Sequence, residues 1–217
     1  MVVALWSAKG GAGVTSAAAL LAIGQAERAQ STVLVDLCGD LPTVLGTEEP
    51  VADTGIADWL ALESPTAAML ARIEHEARLH LTCLSRGAGP IDGLVPHLRR
   101  VTRDRLAIID CGVIRDGSQA EAQVVADADQ SLLVTRECFL HLRSVQLAPL
   151  RPSAVIVIKE PGRHLGRADV EAAAGAPVVA ELAIDRSISG AIDSGLVQAR
   201  LPRRLVRTVA RVLADAA

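Results

Sequence analysis

Eight residues near the start of the chain, Lys9-Gly10-Gly11-Ala12-Gly13-Val14-Thr15-Ser16, have the composition of an anion cradle. Glycines let the backbone turn tightly, so that several N–H groups point at one phosphate. An apolar run at 2–6 precedes the loop and an Ala/Leu-rich segment at 17–26 follows it. This strand–loop–helix context identifies a phosphate loop, to which the helix adds the positive end of its dipole. Such loops usually carry a lysine just before their Thr or Ser, reaching the outer phosphates. Val14 stands at that position here, and a lysine, Lys9, stands instead at the loop's start. The cradle is present and its principal cation is absent.

Two further oxygens suit a metal. The Thr15 hydroxyl is placed to meet Mg²⁺; the same oxygen is also suited to cap the following helix. Asp110 ends the strongly apolar run 106–110, where a carboxylate either holds a metal-bound water or caps a turn. Cys38, Cys83, Cys111 and Cys138 each fall near or just past the carboxyl end of an apolar run. One reading is a thiolate site for zinc or an iron–sulfur cluster; the other is four small buried hydrophobes. No C-x-x-C pair is present, and four adjacent strands span roughly 15 Å at ~4.8 Å spacing, too wide for one tetrahedral ion.

The elements that must position these groups are legible in outline. Short apolar runs recur at 2–6, 32–37, 78–84, 106–110, 130–135, 154–159 and 177–182. Segments with helical spacing lie between them, at 17–28, 66–76, 91–101, 119–126 and 169–174. The alternation predicts a three-layer α/β fold on a mostly parallel, doubly wound sheet of about seven strands. Loops at the carboxyl ends of such strands form the ligand crevice. The chain has 217 residues, half of them hydrophobic and only 1% aromatic. Ala, Val, Leu and Ile must therefore fill the core, as suits parallel strands buried between helices. Net charge is −3, which gives no whole-molecule argument for nucleic acid. No apolar run reaches about 18 residues, and no charged leader precedes the first strand. The expectation is a single domain over 1–217 in the cytoplasm, with reduced thiols.

The loop resembles the deviant phosphate loop of the ParA/MinD family, whose pattern is K-G-G-x-G-K-[T/S]. Lys9, Gly10, Gly11, Gly13 and Thr15 match it; Val14 does not. The run 33–36 ending in Asp36 looks like that family's second acidic motif, and 106–110 looks like its Walker B strand. Residues 131–135, 154–158 and 183–195 follow the family's order. The resemblance implies ATP or ADP with Mg²⁺ at Thr15 and Asp110, phosphate contacts from residues 9–16, and a homodimer in which Lys9 reaches the partner's nucleotide. It implies catalytic roles for Lys9, Asp36 and Asp110. The family's D-x-D pattern has its second acid where this chain has Cys38; Asp40 is the candidate substitute. Cys111-Gly112-Val113 departs from the usual Thr/Ser-Pro-Pro/Ala. Where the family has Asn-Arg on the base, this chain has Ile158-Lys159, leaving Lys159 to cover it.

One lost charge-assisted hydrogen bond costs roughly 1.5–3 kcal/mol, or about 10–200-fold in affinity. The expected function is thus that of a degenerate ParA/MinD-like nucleotide-binding protein with weak or absent hydrolysis, a slow ATPase if active. In that family such proteins position cargo: chromosome or plasmid, septum, pilus or secretion machinery. Two alternatives remain: a nucleotide-independent scaffold with a protein partner, and a thiol- or metal-bearing relative. Residues 202–213 read as an amphipathic helix, with Leu205, Val209, Val212 and Leu213 on one face and Arg203, Arg204, Arg207 and Arg211 on another. It closes the core, grips DNA without sequence preference, or docks on a membrane. The apolar face lacks Phe and Trp, which disfavours the membrane.

Overall fold

The computed structural model describes residues 1–47, 54–183, 186–197 and 203–215. The strands are β1 (Val2–Ser7), β2 (Thr32–Asp36), β3 (His75–Arg78), β4 (Leu81–Leu84), β5 (Leu106–Val113), β6 (Gln130–Arg136), β7 (Ala154–Lys159) and β8 (Val178–Ala183). They form one sheet in the order β3-β4-β2-β5-β1-β6-β7-β8. Every neighbouring pair is parallel except β3–β4. The expected doubly wound sheet is what forms, with eight strands rather than about seven.

Successive side chains on a strand face opposite sides, and here both sides are covered. On β1, Val3 and Leu5 enter one apolar layer while Val2, Ala4 and Trp6 enter the other. The first layer holds α1 (Val14–Ala26), α2 (Leu41–Leu45), α9 (Arg186–Asp193) and α10 (Arg203–Asp215). The second holds α3 (Ile56–Leu60), α4 (Ala67–Ala71), α5 (Leu94–Val101), α6 (Gln119–Asp127), α7 (Phe139–Leu147) and α8 (Arg167–Ala174). Burial on both faces explains why the strands read as continuous apolar runs.

One expected pair of elements is rearranged. The helix expected over 66–76 stops at Ala71, and the strand expected over 78–84 becomes a hairpin, β3–β4. His80 takes a positive φ of 67° in its turn. Glu74 explains why the chain returns to the sheet edge. Its carboxylate accepts two hydrogen bonds from Arg105, at 2.7 and 2.8 Å, and one from Thr82 Oγ1 at 2.7 Å. Partners so distant in sequence leave no periodic signal.

The basic C-terminal helix closes the core. Leu205, Val209, Val212 and Leu213 of α10 are buried, and Gln25 donates to the Ala210 carbonyl at 3.0 Å. Its apolar face is therefore committed to α1 and is not free for a lipid surface. Arg204 and Arg211 are exposed; the side chains of Arg203 and Arg207 lie outside the described residues. Residues 184 and 185, within the expected closing motif, also lie outside them. No helix among the described residues is long and apolar enough to cross a membrane.

Candidate functional site

The parallel strands β1, β2, β5, β6 and β7 deliver their carboxyl ends to one edge, and the loop between β1 and α1 lies there. Gly11 and Gly13 have φ of 76° and 89°, the left-handed region that side chains rarely adopt. These two turns curl the loop. Ser7 Oγ fixes its entrance, accepting from the Lys9 N–H at 3.1 Å and donating to the Lys9 carbonyl at 2.8 Å. A cavity of about 540 Å³ opens over the loop, lined among others by Gly11, Thr15, Cys38, Asp40 and Gly112. A second, of about 310 Å³, shares Ala12, Gly13 and Ser16 with it and extends to Arg136, Ile158 and Lys159. The two cavities meet across the phosphate loop. Val14 lines the first yet is only 6% exposed and packs into the core.

Register places the acids. Asp110 pairs with Asp36 across β5–β2 and with Leu5 across β5–β1. Asp110 is fully buried. Its Oδ1 accepts the Gly112 N–H at 3.0 Å, and its Oδ2 has no partner among the described residues. Burial raises its carboxyl from 3.8 to about 6; the Thr15 hydroxyl and the Gly112 N–H oppose this, and the charges of Asp36 and Asp40 add to it. A buried carboxylate with one oxygen left without a partner among the described residues, close enough to Thr15 for that hydroxyl to lower its pKa, is a fit for a hard cation, whose preferred ligands are oxygens.

Asp36 stands at the crevice beside Asp110, and its carboxylate is engaged by the backbone. Its two oxygens accept from the N–H groups of Cys38 (2.9 Å), Gly39 (2.7 Å) and Leu41 (2.9 Å). The carboxylate thereby organises the turn into α2. Asp40 lines the larger cavity and is exposed, so it faces the space Asp36 does not reach.

Cys38 Sγ lies 3.8 Å from Asp110 Oδ1. Although Cys38 is exposed, its sulfur packs against Asp110, and local desolvation and then the charges of Asp110, Asp36 and Asp40 push its thiol far up, so it is no thiolate. Burial likewise pushes Cys83 up to about 12 and raises Cys111 strongly. The four thiols do not converge: among the described residues the one trio of potential ligands is Asp36, Cys38 and Asp110, with atoms within 4.8 Å of one another. Thiols so separated do not make a thiolate site, and only Cys111 is a buried small hydrophobe: Cys38 is exposed, and Cys83 and Cys138 are half-buried.

Lys159 lines the smaller cavity, but its charge is already engaged. Its Nζ lies 2.5 Å from Glu137 Oε1 and 3.5 Å from Glu181 Oε2. The Glu137 hydrogen bond, above all, raises the ammonium's pKa. Beside it Arg136 pairs with Glu160 at 2.6 Å. Glu137 and Arg136 escape notice in the sequence because they lie at and just past the end of β6, whose last apolar residues give no hint of the cavity.

Another residue arrives by the same kind of route. Past Asp110 the strand β5 continues to Val113, pairing with Ser7, and the Ile114 N–H donates to the Ser7 carbonyl at 2.9 Å. Arg115 therefore emerges beside the phosphate loop. A Cβ built on Gly10 would lie 3.0 Å from Arg115 Nη2. Nothing in the sequence signals this, because it depends on β5 outrunning its acid by three residues.

No protein-family model and no curated protein matches the sequence. Solved structures do match in fold. The cell division ATPase MinD of Pyrococcus furiosus superposes with a TM-score of 0.79 at 17% identity, over 100% of this chain and 99% of that one. MinD in a MinC:MinD cell division complex of Aquifex aeolicus gives 0.77 at 19%, over 98% and 95%. An ATP complex of McdA from Cyanothece gives 0.72 at 16%, over 99% and 95%. These likenesses establish the three-layer phosphate-loop fold end to end.

Proposed function

We propose that this chain is a degenerate nucleotide-binding protein of the ParA/MinD kind, which binds ATP or ADP weakly, acts as a homodimer with a protein partner, and positions a cellular cargo. The observation that carries the reading is the buried Asp110, whose Oδ2 has no partner among the described residues and whose pKa the nearby Thr15 hydroxyl lowers, beneath a glycine loop that keeps its two left-handed turns. The loop N–H groups of residues 10–16 bind the phosphates. The smaller cavity beside Ile158 takes the nucleoside, with Lys159 held at its rim by Glu137. Thr15 and Asp110 are the residues that would hold Mg²⁺, which supplies neutralisation of phosphate charge when bound. Full-length likeness to MinD and McdA structures supports the reading, since one of those structures is an ATP complex; the MinC:MinD complex supports a protein partner.

Turnover is expected to be slow or absent. A transition state gathering charge at the outer phosphates needs fixed cations there, and Val14 offers none. Asp36, whose two oxygens accept three backbone N–H groups, is a positioning residue for the α2 turn; Asp40 is the acid free to orient water.

Those two features also favour the second reading, a pseudo-ATPase scaffold that keeps the fold and the dimer surface. ATP and ADP binding with Mg²⁺, measured together with molecular mass across protein concentration, separates the two. Nucleotide-promoted dimers support the switch; no binding at millimolar nucleotide leaves the scaffold. Turnover is then read against Asp110→Ala as the control for contaminating ATPase.

A further inference from the structure

We infer that Arg115 supplies the phosphate-binding cation that the loop lacks at Val14; the inference rests on the nucleotide reading of the same site and adds a residue to it. Three observations carry it.

The first is placement. Arg115 is anchored at its backbone, not its side chain. The Ile114 N–H holds the chain to Ser7. The turn that follows is closed by Ser118, whose N–H donates to the Arg115 carbonyl at 3.0 Å and whose Oγ accepts the Arg115 N–H at 3.3 Å. Gly117, with φ of 96°, makes that turn. The residue is thereby fixed within reach of the cradle while the guanidinium stays movable.

The second is the glycine at position 10. Gly11 and Gly13 need glycine for their positive φ, but Gly10 does not share that conformation. What a side chain there would meet is Arg115 Nη2, 3.0 Å from the missing Cβ. The guanidinium lies against the bare face of the phosphate loop.

The third is charge. The crevice gathers Asp36, Asp40 and Asp110, and Val14 contributes no cation. Arg115 is exposed, and its guanidinium has no ion pair or hydrogen bond among the described residues. A guanidinium lying beside Gly10, at the entrance of the loop, and free of any ion pair among the described residues suits the bidentate recognition of phosphate once it swings over the cradle. The ligand class is the phosphate tail of a nucleoside triphosphate held in the loop.

The test is isothermal titration of Mg-ATP into the full chain and into Arg115→Ala, Arg115→Lys, Val14→Lys and the Val14→Lys/Arg115→Ala double variant. Because Arg115 is exposed and unpaired, its variants should melt as the wild type does without ligand. Arg115→Ala should weaken ATP about 10–200-fold, the effect of one charge-assisted hydrogen bond, and Arg115→Lys should recover part of it. In the Val14→Lys background the same alanine substitution should cost less, because the two cations serve one anion. If the wild type binds ATP and Arg115→Ala binds within twofold of it, the inference is wrong while the nucleotide reading stands. If the wild type binds no ATP at millimolar concentration, the nucleotide reading itself fails and takes the inference with it.

Discussion

At the residue scale the site is defined by one substitution and one buried acid. Val14 sits where the resembling loops carry lysine, 6% exposed and packed in the core. Val14→Lys should raise ATP affinity about 10–200-fold in the Arg115→Ala background and by less in the wild type, where Arg115 already serves the same anion, read by titration calorimetry. Val14→Lys should also lose about 1.5–3 kcal/mol of ligand-free stability, because a buried valine leaves the core; an affinity that does not rise even in the Arg115→Ala background would count against the loop as the phosphate site. Asp110 makes a second prediction, of opposite sign to the usual carboxylate. Burial raises its carboxyl to about 6 from 3.8, so protonation favours the folded state. That contribution is complete below about pH 4 and is lost as the pH rises through about 6, at a cost on the order of 3 kcal/mol. Asp110→Asn should therefore be the more stable protein above pH 6, with the gap closing toward pH 4. Urea unfolding across that range reads it, and a gap that fails to narrow on acidification would contradict the burial argument. Asp110 and Thr15 were legible in the sequence because an apolar run or a glycine loop fixes where each must stand. That Asp36 accepts three backbone N–H groups was not, since it depends on how the chain turns after Gly39. Arg115 was not legible for a related reason: its position follows from the strand's continuation past Asp110.

At the element scale the fold depends on how closely α10 approaches α1. A Cβ on Gly24 would lie 2.8 Å from Val209 Cγ2 and 3.2 Å from the backbone atoms Ala210 N and Val206 O. Backbone cannot step aside as a flexible side chain can. Gly24→Ala gains about 1 kcal/mol of helix propensity but must push α10 away, and overpacking costs about 1–3 kcal/mol. Net destabilisation by denaturant unfolding is expected. Gly190 in α9 is the control: among the described residues nothing lies within 4 Å of its would-be Cβ, so Gly190→Ala should stabilise by about 0.5–1 kcal/mol. If both substitutions stabilise, the close packing of α10 on α1 is wrong. Most elements were legible because strands buried on both faces are strongly apolar. The hairpin β3–β4 was not, because His75-Glu76-Ala77-Arg78 is a half-exposed edge with no apolar signal and its anchor, Glu74 to Arg105, spans 31 residues.

At the scale of the whole molecule, what matters is whether two weak half-sites become one adequate site. Lys9 opens the loop but, on the family resemblance, serves the partner's nucleotide, so a monomer has the cradle with Arg115 as its local cation. On the proposed reading Lys9 of a second copy adds to Arg115, and the dimer is the state that binds best. Apparent affinity is the intrinsic affinity reduced by the fraction of protein in the competent state, and that fraction rises with protein concentration. Mg-ATP should thus bind more tightly at higher protein concentration, with about a tenfold lower apparent Kd where the dimer fraction is about tenfold higher. Fluorescence titrations at a series of protein concentrations, paired with mass measurements, read both quantities on the same samples. Lys9→Ala should flatten the concentration dependence while leaving monomer ADP binding near that of the wild type, because its charge is spent across the interface. Tight ATP binding by a chain held monomeric would contradict this account, and would assign the missing charge to the chain's own crevice, where Arg115 is the cation within reach.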